Sequence, residues 1–116
     1  MNGERRVDAT LPVGHRYEHD REHDWLALER FADLASRTGL DVAVGDFMWM
    51  GAAEFGDGRI VHSYKHIDTR RHLHLDGSAH AYRYRPTAEG GRYDVIPDPR
   101  LAINLALGLD VISRHR

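Results

Sequence analysis

Residues 60–85 read IVHSYKHIDTRRHLHLDGSAHAYRYR, and this stretch carries the strongest structural pattern in the chain. Apolar and polar side chains alternate along it, and a period of two is typical of β-strands, whose successive side chains point to opposite faces. Five of the nine histidines and three of the five tyrosines lie in the same stretch. We therefore expect antiparallel strands that present imidazoles and cations on one face of a sheet.

Two turn signals set the predicted register of these strands. Gly56-Asp57-Gly58 predicts a three-residue hairpin loop that pairs Phe55 with Arg59. Gly77-Ser78 predicts a two-residue loop that pairs Leu75 with His80 and places the leucines on the core face. The opposite, exposed face of the second hairpin is then expected to carry Arg70, His72, His74, Ala81, Arg83 and Arg85.

Residues 21–38 show a helical period instead. Leu28 and Phe31 fall with other apolar residues on one half of a helical wheel, and charged residues fill the other half. This pattern predicts an amphipathic helix, with Asp20 or Asp24 as its N-cap.

The remaining elements complete the predicted fold class. Strands are expected at residues 41–44, at residues 47–55 and, at the edge of the sheet, at Arg92–Ile96. Pro97-Asp98-Pro99 favours a following helix, although the alternating leucines of residues 101–112 also fit a strand. The prediction is an α+β fold with an N-terminal amphipathic helix, an antiparallel meander of about four to five strands and a C-terminal helix.

The length and composition describe an ordinary globular chain. Its 116 residues are enough for one hydrophobic core. Residues 1–14 lack a period and are predicted to be a flexible N-terminal arm, followed by a single α+β domain over residues 15–116. The chain has no cysteine and no apolar run as long as a membrane span, so we expect a cytoplasmic protein that does not enter the membrane.

Charge is segregated along the chain, although the net charge is only −2. Residues 1–58 hold six Arg and twelve Asp or Glu, whereas residues 59–85 hold six Lys or Arg and two Asp. Segregated charge is informative about partners rather than about fold. The middle of the chain is therefore expected to meet an anion.

The first functional prediction is a small binding module. Its basic, histidine-rich sheet face would bind an anionic partner, either RNA or DNA or a phosphate-bearing ligand, because arginine and lysine donate hydrogen bonds to phosphate. No cofactor is expected. The predicted ligand-binding residues are Lys65, Arg70, His72, His74, Arg83 and Arg85.

A metal-independent ribonuclease is the alternative, and whether the protein is an enzyme stays open. Histidine suits both proton-transfer roles of RNA cleavage because its ordinary pKa lies near neutral pH. His72 and His74 would then act as base and acid, with Arg83 on the phosphate. Neither a glycine-rich phosphate loop before a helix nor a G-x-S-x-G motif occurs in the chain.

A zinc site is a further alternative. His72 and His74 form a His-x-His pair on one strand, and His62, His66 or Glu54 would supply a third ligand. His15, His19 and His23 are spaced by four, but their acidic neighbours favour a solvated surface over a metal site.

The C-terminal segment bears on the oligomeric state. If residues 101–112 form a helix, Leu101, Leu105, Leu109 and Ile112 make an apolar stripe that one sheet does not bury. A homodimer through this segment would cover the stripe. If the segment is a strand, its leucines all face one core and no partner is needed.

Overall fold

Two helices and a seven-stranded antiparallel sheet make up the fold, which confirms the α+β class. The computed structural model describes residues 9–10, 12–20, 22–88 and 91–107. The strands are β1 (Ala9–Thr10), β2 (Pro12–Arg16), β3 (Phe47–Phe55), β4 (Ile60–His66), β5 (His72–Asp76), β6 (Ala81–Arg85) and β7 (Arg92–Ile96). The helices are α1 (Leu26–Ser36) and α2 (Pro99–Leu107).

The N-terminal strands join the two edges of the sheet. The strand order is β1-β7-β6-β5-β4-β3-β2. Thr10 pairs with Tyr93 of β7, and Pro12 pairs with Phe55 of β3. A flat sheet would separate β1 from β2 by six spacings, about 29 Å, whereas two extended residues span about 7 Å at most. The sheet therefore curls until its edges meet, and it has an inner and an outer face.

An aromatic cluster fills one end of the inner face. The rings of Phe55 and Tyr93 lie 5.5 Å apart, although three strands separate β3 from β7 in the sheet. The phenol of Tyr82 accepts a hydrogen bond from Arg59 at 2.7 Å and donates one to Asp76 at 2.8 Å. The buried members of this cluster are Ala53, Phe55, Val61, Tyr82 and Tyr93.

Both helices pack on the outer face. Leu28 and Phe31 of α1 and Ile103 of α2 are buried in one core with outer-face residues such as Tyr64 and Leu73. The predicted helix over residues 21–38 is correct in type but begins later, at Leu26. Residues 22–25 form a turn instead, in which the carboxylate of Asp24 accepts hydrogen bonds from the Asp20 backbone N–H and from Arg16.

Four features of the fold differ from the sequence-based expectations. The predicted arm does not extend to residue 14, because residues 9–10 and 12–16 pair as strands; residues 1–8 lie outside the described residues. Residues 41–44 do not form a strand, and Val44–Asp46 is a short 3-10 helix. β7 has the predicted bounds but pairs on both sides, so it is not an edge. The meander from β3 to β7 has five strands, to which β1 and β2 are added.

The C-terminal segment is helical as far as it is described. The Asp98 carboxylate accepts a hydrogen bond from the Arg100 backbone N–H at 3.0 Å, as expected of an N-cap. α2 ends the described chain at Leu107, so residues 108–112 of the predicted dimer segment lie outside it. Within the described ranges, neither helix is long and apolar enough to cross a membrane.

The hairpin of β3 and β4 has the predicted loop, but a β-bulge changes the faces of β3. In the loop, the Phe55 backbone N–H donates a hydrogen bond to the Arg59 carbonyl at 2.8 Å. Between Trp49 and Gly51 the pairing with β4 shifts by one residue, so that Trp49 pairs with Tyr64. An uninterrupted register would have paired Trp49 with Lys65 on the inner face, whereas the bulge places Trp49 in the outer core.

The second hairpin is one residue out of the predicted register. Its loop has three residues rather than two. The Asp76 carboxylate stabilises this longer loop by accepting hydrogen bonds from the backbone N–H groups of Ser78 and His80. Ala79 completes the loop with a φ of 68°. Leu75 consequently pairs with Ala81, not with His80. One residue of shift exchanges the two faces of a strand relative to its partner.

Candidate ligand-binding pocket

A pocket of about 360 Å³ opens on the inner face of the curled sheet. Every strand from β2 to β7 contributes to its walls. Its lining consists of His15, Tyr17, Met50, Gly51, Ala52, Ala53, Ser63, His72, His74, Tyr84 and Tyr93, none of which is acidic. Two of these, Ala53 and Tyr93, also belong to the inner aromatic cluster, so the pocket continues the interior of the sheet.

A hydrogen-bonded chain of three side chains forms one wall. β4 and β5 place Ser63 directly opposite His74, and strand alternation points both inward. Ser63 Oγ lies 2.7 Å from His74 Nδ1, and Ser63 is also hydrogen-bonded to Tyr93. Burial and, to a smaller degree, neighbouring His72 lower the pKa of His74 to about 4. The three hydrogen-bonded side chains are therefore uncharged at neutral pH.

Aromatic rings form most of the remaining wall. The rings of Tyr84 and Tyr93 meet edge to face at 5.1 Å, and His74 meets Tyr93 in the same way at 5.5 Å. On the opposite side, His15 and Tyr17 are stacked with an interplanar angle of 5°. Ring faces and edges in this arrangement suit a flat apolar molecule.

We call Lys65 and His72 the rim of the pocket: His72 is a lining residue, and Lys65 lies next to His72 without lining the pocket itself. Lys65 is the β4 partner of His72, and its side chain is half-buried. The imidazole of His72 is parallel to that of His74, at 5.8 Å. Partial burial and then the charge of Lys65 lower the pKa of His72. Lys65 forms no ion pair with a carboxylate of the described residues.

The predicted ligand-binding residues divide into two groups. His72 and His74 line the pocket, and Lys65 is the cross-strand neighbour of His72. The changed register places Arg83 and Arg85 on the outer face, where Arg85 pairs with Asp94 at 2.8 Å. Arg70 precedes β5 in a turn, with a φ of 65°. The predicted common face of arginines and histidines therefore does not form.

The catalytic and metal candidates are also separated. Arg83 lies on the face opposite to His72 and His74. His62 and His66 lie on the outer face, where His62 Nδ1 accepts a hydrogen bond from Trp49 at 3.0 Å. Among the residues that the structure describes, no three His, Asp or Glu side chains are grouped closely enough to hold a metal ion.

Sequence reasoning missed most of the pocket. Ser63 and Tyr93 had no assigned role, because their common location depends on the curl and the registers. Two signals were present: a glycine inside a strand, Gly51, is typical of a bulge, and Asp76 two residues before Ser78 is typical of a side-chain-stabilised turn.

Comparison with known proteins gives no relative from which to infer a function. No protein-family model, no curated protein and no solved structure matches this chain. The function is therefore inferred from the pocket and its chemistry.

Proposed function

We propose that the protein binds a small molecule with a flat apolar body inside the curled sheet. The observation that carries this proposal is the pocket of about 360 Å³ whose walls come from six consecutive strands of the sheet. Small-molecule sites are concave, mainly apolar and equipped with a few polar groups that orient the ligand. The proposal narrows the predicted binding module to a site for one small ligand.

His74 supplies the orienting group. Its Nδ1 is engaged by Ser63, and no described hydrogen bond involves Nε2. A serine hydroxyl both donates and accepts, so either neutral tautomer of His74 is compatible with Ser63. Nε2 can accordingly accept a hydrogen bond from a ligand hydroxyl or donate one to a ligand carbonyl.

RNA or DNA binding remains a prediction with less support. A nucleic-acid surface needs several cations on one face, and the bases need exposed aromatic rings. Arg83 and Arg85 lie on the outer face, whereas the pocket tyrosines lie on the inner face. The ribonuclease alternative has the same weakness, because Arg83 and His74 face opposite ways.

The proposal is tested by NMR titration with two flat neutral molecules, indole and benzyl alcohol. We expect both to shift the imidazole signals of His74. Met50→Trp should abolish these shifts, because Met50 lines the pocket and the indole ring would occupy it.

Ile60→Trp is the matched control. Ile60 begins the neighbouring strand β4 on the outer face with nearly the same exposure, 38% against 39% for Met50, and it does not line the pocket. This variant should bind as the wild type does. Absence of any His74 shift, or equal shifts in both variants, would refute the pocket as the binding site.

A further inference from the structure

We infer that the natural ligand is an anion, with a carboxylate or phosphate group at the rim against Lys65 and His72 and a flat apolar body in the pocket. The inference rests on the proposed function and adds the charge and the polarity of the ligand.

Lys65 is a half-buried cation without a carboxylate partner among the described residues. Five described arginines have a carboxylate within 3.2 Å, namely Arg16, Arg37, Arg59, Arg85 and Arg92. The described arginines without one are all exposed, namely Arg30, Arg70, Arg71, Arg83 and Arg100. A partly desolvated cation is stabilised by an opposite charge, and a bound anion would provide it.

The walls of the pocket carry no acid that would compete with an anionic ligand. None of the eleven lining side chains carries a carboxylate. An anionic ligand therefore meets no repulsion from the walls, and a cationic ligand would meet Lys65. The imidazole of His72, which has no described hydrogen bond, is a second donor for the anion beside Lys65.

Binding should also take up a proton at His72. The groups around it are Lys65 on β4, His74 on its own strand, Tyr84 on β6, Tyr93 on β7, and His15 and Tyr17 at β2. None of them is an acid, so His72 is uncharged in the empty pocket near neutral pH. An anion placed between Lys65 and His72 favours the charged imidazole. Affinity should therefore increase as the pH falls from about 7.5 to about 6.

The chain offers an unusually clean spectroscopic probe, because Lys65 is its only lysine. Reductive methylation with ¹³C-formaldehyde labels this side chain and the N-terminal amine and keeps their charge. Three ligands are compared: benzoate, phenyl phosphate and neutral benzyl alcohol. We expect both anions to shift the Lys65 methyl signal and benzyl alcohol to leave it unchanged; the tighter anion identifies the head group.

Substitutions separate the rim from the pocket. Lys65→Met should weaken benzoate binding about tenfold, the factor that about 1.4 kcal/mol produces, and leave benzyl alcohol binding unchanged. His72→Gln should remove the pH dependence of benzoate binding, since benzoate itself stays ionised in this range. Arg71→Met removes an exposed cation just before β5 and serves as the control, with unchanged affinity for both ligands.

Two results would overturn the inference, and both leave the pocket itself standing. In the first, benzyl alcohol binds as tightly as benzoate. In the second, neither benzoate nor phenyl phosphate shifts the methyl signal of Lys65, although benzyl alcohol still shifts the imidazole signals of His74. If no ligand shifts His74, the proposed function fails as well.

Discussion

Burial sets the charge of two histidines on opposite faces of the sheet. On the outer face, the Trp49 indole can only donate, so His62 Nδ1 must be unprotonated, and burial lowers the pKa of His62. On the inner face, burial and His72 lower the pKa of His74 to about 4. The sequence predicted both His62 and His74 as metal candidates, because it does not show which imidazoles are buried away from solvent.

Stability should fall in acid because of His74. Its pKa decreases from 6.5 to about 4 on folding, so the unfolded chain takes up the proton first. Above a pH of about 6.5, His74 is neutral in both the folded and the unfolded chain and its titration does not affect the free energy of unfolding. As the pH falls from about 6.5 through about 4, the free energy of unfolding decreases by up to roughly 3 kcal/mol. Urea denaturation across this range measures the effect.

His74→Gln isolates this contribution, since glutamine does not titrate but still offers Ser63 a hydrogen-bonding partner. The variant should lose less stability than the wild type over the same pH range. His80→Gln, at an exposed histidine, should follow the wild type. Parallel decline of His74→Gln and wild type would show that His74 is not the source.

Among the elements, β3 depends most on a single position. Residues 51–55 of β3 have their side chains on the predicted faces of the sheet. Residues 47–49, on the other side of the bulge at Gly51, have theirs on the opposite faces. Gly51 has a φ of 127°, and the ring of Tyr17 occupies the space that a side chain at Gly51 would need. A side chain other than hydrogen would disturb both the bulge and this contact.

Gly51→Ala should therefore destabilise the protein by about 1–3 kcal/mol, the usual strain of a sparsely populated backbone conformation. The added Cβ would also lie 2.9 Å from Tyr17 Cδ1 and 3.1 Å from the Arg16 carbonyl oxygen. Gly77→Ala is the control, because a Cβ there meets nothing within 4 Å. Urea denaturation should show a much smaller loss for Gly77→Ala, and equal losses would contradict the bulge.

At the scale of the whole molecule, the homodimer through residues 101–112 remains a prediction. Ile103 of α2 is buried against the sheet, whereas Leu101 is 38% exposed. Light scattering at micromolar concentration should give twice the chain mass of 13.3 kDa, and Leu101→Asp should reduce it to the single mass. Leu34→Asp, at an exposed leucine of α1, should leave the dimer intact. A monomeric wild type would disprove the dimer.

Local patterns in the sequence determined the element types. The period of 3.6 around Phe31, the period of two from β3 to β7 and the cap at Asp98 predicted the α+β class correctly. The loop that pairs Phe55 with Arg59 was also predictable, since its glycines define the turn over a few residues. Each of these features depends on neighbours within one turn or one hairpin.

Only the tertiary structure decided where the pocket lies. Its location needs the closure of the sheet by β1 and β2, the bulge at Gly51 and the three-residue loop at Ala79. Closure pairs residues that are far apart in the chain, and a shift of one residue moves every side chain of a strand to the other face. The sequence grouped Lys65, His72 and His74 with the arginines. The three-residue loop at Ala79 places Arg83 and Arg85 on the opposite face, and closure of the sheet makes the histidine face the inner one.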